Sequence, residues 1–256
     1  MVDFVGAGCG AEDLITLRGV KLLNEADVVI YAGSLVNPAI LKNCREDCAL
    51  YDSAKMTLEE VLDVIKAAEK DGKKTVRLHS GDPCLYGAIQ EQMIQLDELG
   101  IAYRNTPGVS AFCGAAAALQ LEYTRPGISQ SVVITRMPGR TPVPDKESIR
   151  SFAEHHTTMV IFLSTGLLTE LSAELIAGGY SAETPAAIVY KATWPEQQVF
   201  HCNVGSLAET AANAGIKNTA LIIVGDVVAG TVPERSKLYD PSFTTLFREA
   251  TEPEKA

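Results

Sequence analysis

Three times within residues 1–111 an apolar, strand-like run ends in a glycine-bearing loop. Residues 2–5 lead into Gly6-Ala7-Gly8-Cys9-Gly10, residues 74–79 into Ser80-Gly81-Asp82-Pro83, and a strand near Tyr103 into Pro107-Gly108-Val109-Ser110-Ala111. Glycine lacks a Cβ, so it takes φ > 0 and lets main-chain groups approach closely. A helical pattern lies beyond each loop. Leu14, Leu17, Val20, Leu22 and Leu23 fall on or near one face. A helix is expected over about residues 86–99, ending at Gly100, and alanine-rich residues 115–119 suit a close-packed one. Residues 28–32 read as a buried strand. Thr57-Leu58-Glu59-Glu60 is a capping-box signature for a helix running to about Lys70, stopped by Asp71-Gly72-Lys73. Strand and helix in alternation imply a mostly parallel sheet with helices on its faces. In such sheets ligands bind at the carboxyl ends of the strands.

The pattern breaks at Glu122-Tyr123-Thr124-Arg125-Pro126-Gly127 and restarts with a strand at 131–135. Arg136-Met137-Pro138-Gly139-Arg140-Thr141-Pro142-Val143-Pro144 follows as a loop, because proline and glycine forbid regular structure there. Further strands are expected at 159–163, 186–190, 198–203 and 220–224, with helices at about 145–154, 167–178 and 206–214. The chain therefore reads as α/β, with domains at 1–122 and 128–229 and a polar tail at 230–256 whose last residues, 251–256, fray.

The 256 residues carry a formal net charge of -10, which argues against a nucleic-acid partner. No run reaches the roughly 20 apolar residues that span a bilayer, and the first residues lack a basic leader, so a cytoplasmic protein is expected. The cysteines Cys9, Cys44, Cys48, Cys84, Cys113 and Cys202 form no C-x-x-C pair. With the histidines scattered, free thiols and no protein-bound metal are expected.

Taken singly, each loop has a bland reading. Gly6-x-Gly8-x-x-Ala11 fits a loose dinucleotide fingerprint or a turn without ligand. The fingerprint also needs an acid at the end of the second strand, and Asp27 lies at its start, which speaks against NAD. A nucleotide-binding module without catalysis is another reading. Asp82 suits a carboxylate that accepts from a ligand hydroxyl or amine, and equally a turn or N-cap residue. Pro107-Gly108-Val109-Ser110-Ala111 alone is a turn and a cap.

In order, G-A-G-C-G-A-E-D-L-I-T-L-R-G, S-G-D-P-C-L-Y-G, P-G-V-S-A-F and T-R-M-P-G-R-T-P-V-P resemble the tetrapyrrole methylases over residues 2–228. The first loop departs from that family's usual G-x-G-P-G-D, with Cys9 for proline and Ala11 for aspartate. The resemblance implies two α/β domains, a homodimer, and S-adenosylmethionine folded in a cleft between the domains. Carried over by position, cofactor contacts fall on Ser80, Gly81, Asp82, Tyr86, Ser110, Ala111, Leu163, Tyr190, Lys191, Ala192, Thr219, Ala220 and Leu221, many through the backbone. Residues 139–144, 190–195 and Tyr31-Ala32-Gly33-Ser34-Leu35-Val36 resemble members that methylate C11 of precorrin-4 or its cobalt complex. Other members act at C-20 or C-17, or on a modified histidine as diphthine synthase does.

The substrate so implied is a large ring rimmed by carboxylates, which need cationic partners, preferably arginine. Gly8, Arg136 and Arg140 are the expected substrate contacts, with Lys191 a further cation. Trp194 suits either the macrocycle or the core. A sulfonium methyl is already activated, so neither a nucleophile nor a Ser-His-Asp triad is expected, and no general base is named.

Overall fold

The computed structural model describes residues 1–230 and 236–251. The chain divides into two compact units: residues 1–119 with 189–199, and residues 120–188 with the described residues from 200 onward.

The first unit is built on β1 (Val2–Gly6), β2 (Val28–Tyr31), β3 (Ala49–Asp52), β4 (Thr75–His79) and β5 (Tyr103–Thr106). They form one sheet in the order β3-β2-β4-β1-β5, and every pairing is parallel. β1 and β4 are buried along their whole length, as expected for strands covered on both faces. On one face Val2, Phe4, Val28 and Ile30 pack against Val61, Leu62 and Ile65 of α2 (Leu58–Lys70) and Leu96 of α3 (Ile89–Glu98). On the other, Val5, Val29, Val76 and Leu78 pack against Leu23 of α1 (Leu17–Glu25). The fourth helix, α4 (Ala111–Leu119), follows the third glycine loop.

β3 has no counterpart in the sequence reading. It is a four-residue edge strand, largely exposed, with no buried apolar run to announce it. Residue 86 does not open a helix, because Tyr86 and Ala88 take φ of 56° and 48°, and regular winding starts at Ile89. The capping box at Thr57 is complete: Glu60 N–H donates to Thr57 Oγ1, and Thr57 N–H to the Glu60 carboxylate.

The second unit holds β6 (Val132–Arg136), β7 (Thr158–Phe162), β8 (Pro185–Tyr190), β9 (Gln198–Asn203) and β10 (Ala220–Val224), in the order β6-β7-β10-β8-β9. β6 runs parallel to β7, and β10 antiparallel to it, so this sheet is mixed. Helices α5 (Ile149–Ala153), α6 (Leu168–Ala177) and α7 (Leu207–Asn213) accompany it. The helix expected from residue 145 begins at Ile149, where Ser148 Oγ caps it by accepting from Ser151 N–H. Residues 189–199, which comprise the end of β8, the turn after it and the start of β9, group with the first unit.

Of the polar tail expected over 230–256, residues 231–235 and 252–256 lie outside the described residues, as do all but the first of the residues expected to fray. Residues 236–251 form turns gathered by Arg248, whose guanidinium donates to the carbonyls of Leu238, Asp240 and Phe243.

Candidate functional site

Because the first sheet is wholly parallel, the loops that follow its strands all leave from one edge. β4, β1 and β5 are neighbours, so the three glycine loops lie side by side there. They interlock. Gly8 and Gly81 exchange main-chain hydrogen bonds at 3.2 and 2.8 Å, and Ala7 N–H donates to His79 O at 2.7 Å. A Cβ on Gly6 would come within 2.6 Å of Gly108 Cα and of Gly81 O. The glycines are therefore demanded first by one another.

Asp82 joins the second loop to the third. Its Oδ1 accepts from Cys84 N–H at 2.8 Å and its Oδ2 from Gly108 N–H at 2.9 Å. Burial opposes its ionisation, but the hydrogen bonds from Cys84 and Gly108 prevail and hold its pKa below the usual aspartate value. Asp82 is thus a turn residue and a brace, with both oxygens engaged inside the protein. Asp82→Ala is expected to leave the Gly108 N–H without its acceptor and to weaken S-adenosylhomocysteine binding by about tenfold or more, the scale of one charge-assisted hydrogen bond. Calorimetric titration checks this, and an unchanged affinity would separate the brace from the site.

Ser110 is buried at the start of α4, and Ala111 N–H precedes the first helical bond, from Cys113 N–H to Ser110 O. Gly81, at φ 61°, lies against this turn, with its absent Cβ placed 3.4 Å from Ala111 N. A glycine cradle beside a helix N-terminus suits a ligand carboxylate. Tyr86 is half exposed.

Residues 190–194 belong to the same unit. Lys191 Nζ stands 5.2 Å from the Trp194 ring centroid, 5.7 Å from that of Tyr190 and 3.6 Å from a Glu196 carboxylate oxygen. Ala192 is buried. Trp194 is half-buried and packs on Gly10: its Cδ1 would lie 2.2 Å from a Cβ there, so the indole fills the space that glycine leaves. Two residues at this loop escaped the sequence reading. Asn37 Nδ2 donates to Gly10 O at 2.8 Å, and Thr193 Oγ1 accepts from Ala11 N–H at 3.0 Å. Neither carries a pattern of its own, since each acts across a large gap in sequence.

In the second unit, the ends of β6 and β7 are pinned together. Fully buried Ser164 accepts from Met137 N–H at 2.8 Å and donates to Phe162 O at 2.7 Å. Leu163 is 66% exposed at φ 52°, and Thr219, just before β10, is exposed at φ 54°. Ala220 and Leu221 are buried in β10, and Ala220 O accepts from Thr165 Oγ1. Tyr86, Leu163, Lys191 and Thr219 are all non-glycine residues in the left-handed region. Such residues cost about 1–3 kcal/mol each and gather at ligand sites.

Arg136 and Arg140 differ. The Arg136 guanidinium donates to the carbonyls of Met137, Thr141 and Pro142 at 3.0–3.2 Å, so it clasps its own loop. These contacts follow from the prolines, which leave carbonyls without a regular partner. Arg140 is exposed on the same loop.

A parallel α/β sheet that presses three glycine loops together at its carboxyl edge, with left-handed Tyr86 and Lys191 in the same unit, is the kind of edge at which α/β proteins bind small molecules. Comparison with known proteins makes this specific. The sequence pattern of the Tetrapyrrole (Corrin/Porphyrin) Methylases matches residues 1–208. The chain is 47% identical over 249 residues to a cobalt-precorrin-4 C(11)-methyltransferase of Methanocaldococcus jannaschii, covering 97% of this chain and 96% of that one. The X-ray structure of a cobalt precorrin-4 methyltransferase superposes with a TM-score of 0.86 at 40% identity, covering 89% of this chain and 95% of the other. A uroporphyrin-III C-methyl transferase from Thermus thermophilus, complexed with S-adenyl homocysteine, superposes with a TM-score of 0.77 at 27% identity, covering 90% and 99%. The chain belongs to the tetrapyrrole methylase family.

Proposed function

We propose that this protein transfers the methyl group of S-adenosylmethionine to C11 of precorrin-4 or its cobalt complex, forming the corresponding precorrin-5 in cobalamin biosynthesis. What carries the reading is the 47% identity, over almost the whole of both chains, to a protein named for that reaction. The interlocked loops support it, because they set Gly81 beside the N-terminal turn of α4, a place that suits the carboxylate of a zwitterionic cofactor. The reading includes a homodimer in the cytoplasm, as the family resemblance implies. No helix among the described residues is long and apolar enough to cross a membrane.

S-adenosylmethionine, when bound, supplies an activated sulfonium methyl. The chain's own task is to bind and orient. Ser80, Gly81, Asp82, Tyr86, Ser110 and Ala111 would hold the cofactor in one unit, with Tyr190, Lys191 and Ala192. Leu163, Thr219, Ala220 and Leu221 would do so in the other. Holding an acceptor carbon in line with the S–CH₃ bond supplies on the order of 7–11 kcal/mol in ideal systems, so no covalent catalyst is needed. Gly8 and Arg140 would meet the macrocycle, Arg140 through a carboxylate. Arg136 would act there by holding the Met137–Pro142 backbone.

The test is mass spectrometry with fragment analysis of products from metal-free and cobalt-loaded precorrin-4. A single added methyl at C11 from either substrate supports the reading, and the better substrate fixes the metal state. Methylation elsewhere, or none, overturns it. Arg140→Ala is expected to raise KM for the tetrapyrrole about tenfold while leaving S-adenosylhomocysteine affinity unchanged, the loss of one charge-assisted contact.

A further inference from the structure

The first glycine loop ends in Cys9-Gly10-Ala11, where this chain departs from the family pattern by losing a proline and an aspartate. The structure shows what grips that tripeptide. A single hydroxyl, Thr193 Oγ1, accepts from Ala11 N–H at 3.0 Å and donates toward Cys9 Sγ at 3.5 Å. It uses both its donor and its acceptor capacity across the loop. Cys9 is buried and Thr193 half-buried. Gly10, between the two anchored residues, is closed in by Trp194 and by Ala192 O, and its carbonyl accepts from Asn37 Nδ2.

The hydroxyl reaches this place at a cost. Thr193 takes φ 66°, a region that a β-branched residue avoids. Such a conformation persists only when its surroundings over-determine it. Here Thr193 N–H donates to Gln197 Oε1 at 2.7 Å, Trp194 N–H to Lys191 O at 3.0 Å and Gln197 N–H to Trp194 O at 3.0 Å. Lys191, two residues earlier, is also left-handed at φ 45°. The turn at 191–197 is thus wound tightly, and what the winding achieves is the position of one oxygen over the loop.

We propose that Thr193 is a positioning residue for methyl transfer: its hydroxyl fixes Cys9-Gly10-Ala11, and through them the Gly8 end of the loop against which the tetrapyrrole is placed. This rests on the function proposed above for its kinetic arm alone. The contacts of the Thr193 hydroxyl are to the loop, and its effect runs through the loop. The Cys9 thiol gives the hydroxyl an acceptor that a proline at that position lacks, so the clamp is matched to this chain's own departure from the family.

Thr193→Val keeps the β-branch and removes the hydroxyl, and Thr193→Ser keeps the hydroxyl and removes the methyl. Both are compared with wild type in hydrogen exchange of the Ala11 amide, steady-state kinetics with the tetrapyrrole, and calorimetry with S-adenosylhomocysteine. In Thr193→Val the Ala11 amide is expected to exchange about tenfold faster, and kcat/KM to fall about tenfold or more. S-adenosylhomocysteine affinity is expected to stay within about twofold, and Thr193→Ser to recover most of both losses. Unchanged kcat/KM in Thr193→Val, a loss that serine does not rescue, or an equal loss of S-adenosylhomocysteine binding overturns the proposal. Wild-type protein that methylates no tetrapyrrole overturns the function reading, and with it the kinetic role of Thr193. The exchange arm still judges the clamp, which fails if the Ala11 amide is unaffected.

Discussion

Gly108→Ala is expected to destabilise the protein by about 3 kcal/mol or more, at or beyond the upper end of ordinary overpacking, and to abolish detectable S-adenosylhomocysteine binding. A Cβ at residue 108 would stand 2.2 Å from Gly81 O and 2.7 Å from Gly6 Cα. Both neighbours are main-chain atoms, one at the end of β1 and one in the second glycine loop, so no rotamer change clears the clash. The second and third loops must part, which breaks the Gly108 N–H bond to Asp82 and disturbs the paired Gly8 and Gly81. Backbone conformation is not the cause, because Gly108 lies outside the left-handed region. Gly139→Ala and Gly166→Ala are the controls: nothing lies within 4 Å of a Cβ at either site, and both are expected to melt within about 0.5 kcal/mol of wild type. Urea unfolding checks the stabilities. A Gly108→Ala protein as stable as the controls would show that the three loops are not locked together.

The glycine loops were legible in the sequence because each sits where a strand-like run stops, and the strand-loop-helix rhythm fixed the kind of sheet that follows. Their adjacency was not. It depends on β1 lying between β4 and β5, a crossover order that local patterns do not encode. For the same reason the role of Asp82 stayed open, since its second partner, Gly108, is 26 residues away. β3 was silent because a short exposed edge strand has no apolar alternation to read. The helix start near Tyr86 was misjudged because composition does not reveal a left-handed residue that carries a side chain. The loop contacts of Arg136 were not legible because its partners are carbonyls of its own loop, and carbonyls are the same at every position. Thr193 and Asn37 were invisible individually: a threonine and an asparagine become informative only when the fold places them against Ala11 and Gly10.

The buried polar residues of β4 lead to the second large effect, which is a loss of stability in mild acid. Arg77 and His79 alternate onto the face that carries Phe4, on a strand whose other face holds Val76 and Leu78. Arg77 donates to Gln92 Oε1 and Ile30 O, both at 3.1 Å, and burial lowers its pKa to about 10, so it stays charged at neutral pH. His79 is 5% exposed, stacks on Phe4 with ring centroids 6.0 Å apart, and its Nε2 has no partner. Burial first, and the Arg77 charge second, push its pKa from 6.5 down to about 3. Well above pH 6.5 the imidazole is neutral whether the chain is folded or not, and it contributes nothing to the pH dependence. Between 6.5 and about 3 the unfolded chain binds a proton that the folded chain refuses, so stability falls as pH drops, by up to about 1.4 kcal/mol per pH unit. At pH 4.5 the loss is on the order of 3 kcal/mol, a large part of the stability of a typical domain. His79→Phe keeps a ring against Phe4 and removes the titration. Its unfolding free energy, from urea melts between pH 7.5 and 4.5, is expected to fall much less steeply than that of wild type. Equal slopes would place the acid sensitivity elsewhere. Asp82 does not confound the measurement: its pKa lies below 3.8 in the folded protein, so the stabilising effect of its carboxylate is present above that value and is lost only as pH falls below it. His79 O accepts from Ala7 N–H, and Ser80 follows it directly, so the strand end that acid loosens is the one from which the second glycine loop departs.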